Sequence, residues 1–214
     1  YGQTVTVRKD EVETIEYNRD KSLGVSVYIG KQRGYASSSD LAPKAIRDTV
    51  AAALSIARFT AADEAAGLAD PALISRSSRD LDLFHPWDLP VERAIAMAKA
   101  CEAAAFRLDP RIVNSEGASV STQQSQFVAG NTAGFLDGYA SSRHYISCAV
   151  IAAERDAMQR DDWYSSQRAA ADLATPEAIG DYAGRRALAR LRARKLGKRK
   201  GRVLFEAPVA NGLL

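Results

Sequence analysis

His144 and Cys148, four positions apart in the stretch YASSRHYISC, are the residues whose chemistry first suggests a site. On a helix this spacing would place both side chains on one face, where they could share a metal ion or act as base and nucleophile. The surrounding residues carry no helical period and are rich in β-forming types, which predicts a strand. On a strand the two residues share a face but lie roughly 13 Å apart, at ~3.3 Å per residue. We therefore expect both to be buried structural residues.

The other reactive side chains also fit structural roles. His85 lies in the connector FHPWD, and Cys101 lies on the apolar stripe of a predicted helix, where it acts as a small hydrophobe. Residues 37–39 are serines outside any GxSxG motif, and they suit a turn that leads into a helix. Four acidic residues lack calcium-loop spacing and predict a solvated hairpin turn: Glu154, Asp156, Asp161 and Asp162.

No sequence motif assigns a catalytic, metal-binding or cofactor-binding residue. HExxH, a P-loop and a dinucleotide-binding glycine fingerprint are all absent from the sequence. Two cysteines cannot build a disulfide framework, which predicts a reducing cytoplasm. No apolar run approaches the ~20 residues that span a bilayer, and no signal peptide is visible. The chain begins with Tyr1 and has methionine only at positions 97 and 158, so we expect a fragment.

The basic end of the chain is the strongest charge signal. Residues 185–214 carry ten of the 29 basic residues and only one of the 26 acidic residues. Clustered cations could bind phosphates of a nucleic acid, which gives one candidate function for residues 185–202. The alternative is a solvated helix end, where cations favour the macrodipole. The second interpretation is preferred because no aromatic residue lies between Tyr182 and Phe205 to stack on bases.

The hydrophobic patterns predict an α+β fold, with antiparallel β-sheets and about three packed helices. Alternating apolar residues predict a meander of about four strands near the N-terminus, and further strands between residues 111 and 168. Residues 203–205 are also predicted to form a strand. Three apolar stripes predict helices: Ile46, Val50, Leu54 and Ala57; Ile95, Ala98, Cys101, Ala105 and Leu108; Ile179, Ala183, Ala187 and Leu191.

Six stretches, in corresponding order, resemble the TldD/PmbA family and its PmbA (TldE) branch in particular. They cover essentially the whole chain: YNRDKSLGVSVYIGKQRGYASSSDLAPKAI, AGLADPAL, DLDLFHPWD, RIVNSEGASVS, GNTAGFLDGYASSRHYISCAVIAAE and RKLGKRKGRVLFEAPVANGLL. The resemblance implies a subunit of a cytoplasmic zinc metallopeptidase, in a family also described as modulators of DNA gyrase. Such complexes act on unfolded peptides, in peptide-antibiotic maturation and antitoxin turnover.

The resemblance also implies a division of labour. In TldD-type chains the zinc site begins with HExxxH, after a strand like RVLFEAP, whereas PmbA-type chains generally lack that motif. No position here matches the family's zinc ligands, so zinc is expected in the catalytic partner and not in this chain. The expected partner is a TldD-type subunit or a second copy. Residues 1–200 would form an N-terminal domain, and residues 201–214 the first strand of a truncated C-terminal domain. The expected role is partner binding and enclosure of the substrate chamber.

Overall fold

The computed structural model describes residues 1–74 and 79–212 and has the predicted α+β fold. The predicted connector between the first two helices includes residues 75–78, which lie outside the described residues. The strands are β1 Gly2–Arg8, β2 Glu11–Asn18, β3 Leu23–Ile29, β4 Gln32–Ser38, β5 Ile112–Gly130, β6 Leu136–Glu154 and β7 Ala157–Gln167. The helices are α1 Pro43–Phe59, α2 Val91–Leu108, α3 Pro176–Ala189 and the one-turn α4 Ala207–Ala210.

Five strands form an antiparallel sheet in the order β2-β1-β5-β6-β7. Successive side chains of a strand alternate between the two faces, so every second residue of β1, β5 and β6 faces the helices. Val5 pairs with Val120, and Val120 pairs with Ile146, which gives the centre of the core. All three side chains are at most 1% exposed.

The β5–β6 hairpin extends beyond the rest of the sheet. Pairing with β1 ends at Gln123, and pairing with β7 begins at His144. Residues 125–130 and 136–141 therefore form a two-stranded ribbon, which we call the β5–β6 ribbon. Within the described residues, no strand pairs with the outer edge of either ribbon strand.

Helices α2 and α3 cover the inner face of the sheet, as their predicted stripes require. The buried line of α3 includes Ile179, Ala183 and Ala187, as predicted. Gly180 permits the close approach of the two helices, because a Cβ there would clash with the Cys101 carbonyl oxygen. Thr175 caps α3 by accepting a hydrogen bond from the Ala178 amide.

The first four strands do not form one meander, so this prediction is wrong. Strands β1 and β2 join the large sheet through β1–β5 pairing, whereas β3 and β4 form a separate hairpin under α1. The predicted stripe of α1 is also wrong in part. The helix packs through Thr49, Ala53 and Ala57, while Ile46 and Val50 are 36% and 42% exposed. Gly34 explains this orientation, because it lets the backbone at Ala53 lie directly against the hairpin.

The segment Val203–Phe205 does not form the predicted strand in the described chain. All three side chains are exposed, and the next element is α4. A strand needs a neighbour for its backbone hydrogen bonds, and the described residues supply none at this position. The assignment of residues 201–214 to a second domain stays a prediction, and positions 213 and 214 lie outside the described residues.

Candidate functional site

His144 and Cys148 lie on the inner face of β6, as the strand prediction required. Both side chains are fully buried, and they alternate with partly exposed residues of the outer face. A strand separates residues four positions apart by about 13 Å. The structure therefore confirms that the sequence spacing reflects a strand face and not a helical pair.

Both ring nitrogens of His144 are hydrogen-bonded. Nε2 lies 2.9 Å from the His85 carbonyl oxygen, and Nδ1 lies 3.0 Å from Thr122 Oγ1. A carbonyl oxygen can only accept, so Nε2 carries a hydrogen and donates it, while Nδ1 pairs with the threonine hydroxyl. The Trp87 ring meets the imidazole edge-on at a centroid distance of 5.3 Å. His144 thus holds the connector before α2 against the sheet.

Ser142, two residues before His144 on the same face of β6, also holds the connector. Its amide donates to the Leu83 carbonyl oxygen at 2.9 Å, and its hydroxyl accepts from the His85 amide at 2.8 Å. The hydroxyl in turn donates to the Arg168 carbonyl oxygen at 2.9 Å. The connector therefore lies beside β6 at the point where β7 ends.

A cavity of about 630 Å³ lies between this connector and the β5–β6 ribbon. Its volume falls within the ~300–1,000 Å³ typical of ligand sites. Phe127 and Tyr139 face each other across the ribbon, with ring centroids 5.7 Å apart. The apolar wall is formed by Leu81, Leu83, Phe84, Phe127, Phe135 and Tyr139. We call this the connector–ribbon cavity. No sequence motif indicates this cavity, although the aromatic residues on both sides of the turn GNTAG are a signal that could have revealed its ribbon wall.

The two cysteines meet in the core, which their sequence separation of 47 did not reveal. A hydrogen bond with Cys148 and, to a lesser extent, burial raise the pKa of the Cys101 thiol far above its ordinary range. The thiolate is the form that attacks electrophiles and binds metals, so a raised pKa suppresses both activities. These thiols therefore act as core side chains.

The described residues do not fit a zinc ion. Across positions 1–74 and 79–212, no group of three or more His, Cys, Asp or Glu side chains could hold a metal. A zinc site needs three or four ligands at ~2.0–2.3 Å, and both nitrogens of His144 already have protein partners. The ring of the second histidine, His85, contacts Asp82 instead, with its Nε2 3.3 Å from Asp82 Oδ1.

The predicted acidic hairpin turn is only partly a solvated turn. Asp161 is 8% exposed and contacts Arg186 and Arg190 at 3.2 and 3.4 Å. Burial raises the pKa of this carboxyl, but the Asp162 amide and Arg186 outweigh that effect and hold the pKa below its ordinary value. The carboxylate therefore fastens α3 to β7. The sequence missed this role because the partners lie 25 and 29 residues away.

The basic end is partly neutralised by such pairs. Arg185, Arg186, Arg190 and Arg192 each contact a carboxylate at 3.4 Å or less. In the described part of the chain, the six cations of residues 194–202 form no ion pair within 4.0 Å. The cationic segment available to an anionic partner is therefore shorter than the sequence indicated.

Glu102 is a buried acid that the sequence analysis did not single out. It is 2% exposed, and its two carboxylate oxygens accept from the Lys9 and Asp10 amides at 2.9 and 3.0 Å. Those two residues turn between β1 and β2 with positive φ angles of 52° and 64°. A lone acid inside the apolar run ACEAAAF was the signal in the sequence. Glu102 fastens the edge hairpin to α2.

Among the helices of the described residues, none combines the length and the apolar character needed to cross a membrane.

Relatives of this chain are named metalloproteases. The chain is 47% identical over 212 residues to metalloprotease PmbA of Escherichia coli O157:H7, covering 99% of this chain and 47% of that protein. It is 40% identical over 213 residues to the metalloprotease PmbA homologue of Haemophilus influenzae, covering all of this chain and 47% of that protein. The chain thus spans about half the length of these curated relatives.

A solved structure has the same fold. A Bacteroides thetaiotaomicron protein, described as a candidate modulator of DNA gyrase, is 25% identical with a TM-score of 0.82. The match covers 91% of this chain and 45% of that chain.

Two family sequence models also match in order along the chain. The model described as PmbA/TldA metallopeptidase domain 1 matches residues 1–57. The model described as the PmbA/TldA metallopeptidase central domain matches residues 84–191, which is half of the chain. The two models match in order, and the chain is 47% identical to a curated PmbA over 99% of its own residues. The chain therefore belongs to the TldD/PmbA family.

Proposed function

We propose that this chain is the N-terminal half of a PmbA-type subunit of a cytoplasmic zinc metallopeptidase complex that acts on unfolded peptides. In this role it carries no zinc and does no chemistry itself, and it binds a partner subunit and encloses the substrate chamber. The observation that carries the proposal is the 47% identity, over 99% of the chain, to a protein named metalloprotease PmbA. Zinc would belong to the catalytic partner.

Open strand edges support a role in holding unfolded peptide. The outer edges of the β5–β6 ribbon have no neighbouring strand within the described residues. An extended peptide can add to such an edge through backbone hydrogen bonds, whatever its side chains are. Processing of unfolded peptides, such as antibiotic precursors and antitoxins, would need this tolerance.

Uncovered apolar residues support partner binding. Ile15 and Tyr17 of β2 pair with the buried Val5 and Gln3, so they lie on the core-facing side of the sheet. They are nevertheless 44% and 57% exposed. Such an apolar extension of a core face is typical of a surface that another chain covers. A TldD-type subunit or a second copy of the PmbA-type subunit would be the partner.

Co-purification tests this function. The full-length protein is expressed with and without a TldD-type subunit, and each sample is assayed for assembly and for cleavage of an unfolded peptide. We expect a stable complex, and cleavage that requires the TldD-type subunit. The proposal fails if the full-length PmbA-type protein alone hydrolyses peptide in a chelator-sensitive reaction, or if no complex forms.

Nucleic-acid binding is the second candidate, and it is favoured by the six cations of residues 194–202, which form no ion pair with any residue that the structure describes. Fluorescence polarisation with duplex and single-stranded DNA across a salt series distinguishes the two functions. Sub-micromolar binding that weakens steeply with salt would support this alternative, because cations that contact phosphates release bound counterions. A variant with all six cations changed to Gln should then lose the binding.

A further inference from the structure

The connector–ribbon cavity combines an apolar wall with negative charge. The described residues that line it include three acids, Asp80, Asp82 and Asp137, and one base, Arg79. Asp80 accepts the Asp82 amide at 2.9 Å, and Asp137 accepts the Gly138 amide at 2.7 Å. These bonds hold two of the carboxyl groups against the backbone. Among the described residues that line the cavity, acidic residues therefore outnumber basic ones by three to one.

The cavity also borders an open strand edge. Gly138 and Ala140 of the ribbon line it, and the outer edge of this strand has no neighbouring strand within the described residues, although the Gly138 amide already donates to Asp137. The rings of Phe127 and Tyr139 are 56% and 53% exposed, so an occupant would bury apolar area on them. The site thus offers backbone groups, aromatic surface and negative charge together.

We propose that the connector–ribbon cavity binds a peptide segment in which an aromatic or aliphatic side chain lies next to a Lys or Arg. This inference rests on the proposed function and names the class of peptide that this subunit would select. The rings bury the apolar side chain. The carboxylates attract the cation, and they also repel acidic peptides and the phosphates of a nucleic acid.

Binding of short peptides to this chain tests the inference without any hydrolysis. Three capped hexapeptides that differ only in the central pair, Phe-Lys, Phe-Glu and Ala-Lys, are titrated by calorimetry. We expect Phe-Lys to bind about five- to ten-fold more tightly than Phe-Glu, because exposed charge pairs contribute modestly. Higher ionic strength should reduce the ratio of the Phe-Lys affinity to the Phe-Glu affinity, because salt screens the charges. Ala-Lys should bind more weakly than Phe-Lys.

Two matched pairs of variants locate the site. Asp80→Asn with Asp137→Asn removes two charges but keeps the side-chain carbonyls that accept the amides, and it should weaken Phe-Lys binding about three- to five-fold. Asp20→Asn with Asp156→Asn, which also changes two acids at exposed positions outside the cavity lining, is the charge control. Phe127→Ala should also weaken binding, whereas Phe59→Ala should not, because Phe59 is 87% exposed at the end of α1.

The inference is overturned if Phe-Lys and Phe-Glu bind equally, if no peptide binds, or if the control variants lose as much affinity as the cavity variants. These outcomes can be distinguished from a failure of the proposed function. Failure to assemble with a TldD-type subunit would refute that function, whereas loss of charge selectivity in an assembling protein would refute only the cavity assignment.

Discussion

Replacing His144 by Ala should destabilise the fold and loosen the wall of the connector–ribbon cavity. The imidazole is fully buried, and its removal leaves the His85 carbonyl and the Thr122 hydroxyl without their partners. Each lost hydrogen bond costs about 0.5–1.5 kcal/mol, and the void left by the ring adds about 2 kcal/mol. We therefore expect a loss of about 3–5 kcal/mol in the free energy of unfolding.

Thermal unfolding followed by circular dichroism measures this loss. For a chain of this size each kcal/mol corresponds to about 2–4 °C, so His144→Ala should lower Tm by about 6–20 °C. Thr122→Val removes one of the two bonds and should cost about 1–2 kcal/mol. His85→Ala is the matched control, because His85 holds His144 through its backbone carbonyl and its own side chain is 34% exposed. It should cost less than about 1 kcal/mol.

Two results would refute this reasoning. If His85→Ala destabilises the protein as much as His144→Ala does, the backbone carbonyl is not the partner that matters. If purified, tag-free protein contains stoichiometric zinc and the His144→Gln variant does not, His144 is a metal ligand. Its interpretation as a buried structural residue on the strand face is then wrong. Below its own Tm, His144→Ala should also bind the Phe-Lys peptide more weakly, because the connector is less firmly held.

Glu102→Ala should lower the free energy of unfolding, measured by chemical denaturation, by about 3–4 kcal/mol, because two backbone amides lose their acceptor. Glu102→Gln should lower it by about half as much, because one side-chain acceptor oxygen remains. Equal losses for the two variants would contradict this prediction. Cys101 and Cys148 should not react with an aromatic disulfide reagent until the protein is denatured, because both are fully buried and the pKa of Cys101 is raised; rapid labelling of folded protein would contradict it. The Arg192 hydrogen bond lowers the pKa of Glu154 from 4.5 to about 2. Its stabilising contribution should therefore be present above pH 4.5 and fade as pH falls towards 2, and Glu154→Gln should remove that part of the acid dependence, as measured by unfolding across pH.

Local patterns were enough to predict several elements. The alternation around His144 predicted a strand with a buried face, and Thr175 followed by Pro176 predicted the start of α3. The fold class was also predicted correctly, as was the α3 stripe except for Leu191, which is buried but lies two residues beyond the end of the helix. These features depend on residues within one or two turns or along one strand, where the periods of 3.6 and 2 appear directly in the sequence.

The candidate site was not predictable in this way. The walls of the connector–ribbon cavity come together through bonds such as His144 to His85, which are 59 residues apart, and Ser142 to Leu83, also 59 apart. The Glu102 contact with Lys9 spans 93 residues. No local period encodes which distant backbone group a buried side chain will meet.

The sequence by itself determined most of the elements, the buried faces of β6 and α3 and, through resemblance over the whole chain, the family. The tertiary structure decided that β1 pairs with β5, because the apolar alternation of β1 fits several possible neighbours equally well. It also decided which face of α1 is buried. The line through Ile46 and Val50 is the more apolar, but close packing against Gly34 favours the smaller residues at Ala53 and Ala57. Steric fit between distant segments made both choices, and that fit exists only once the chain has folded.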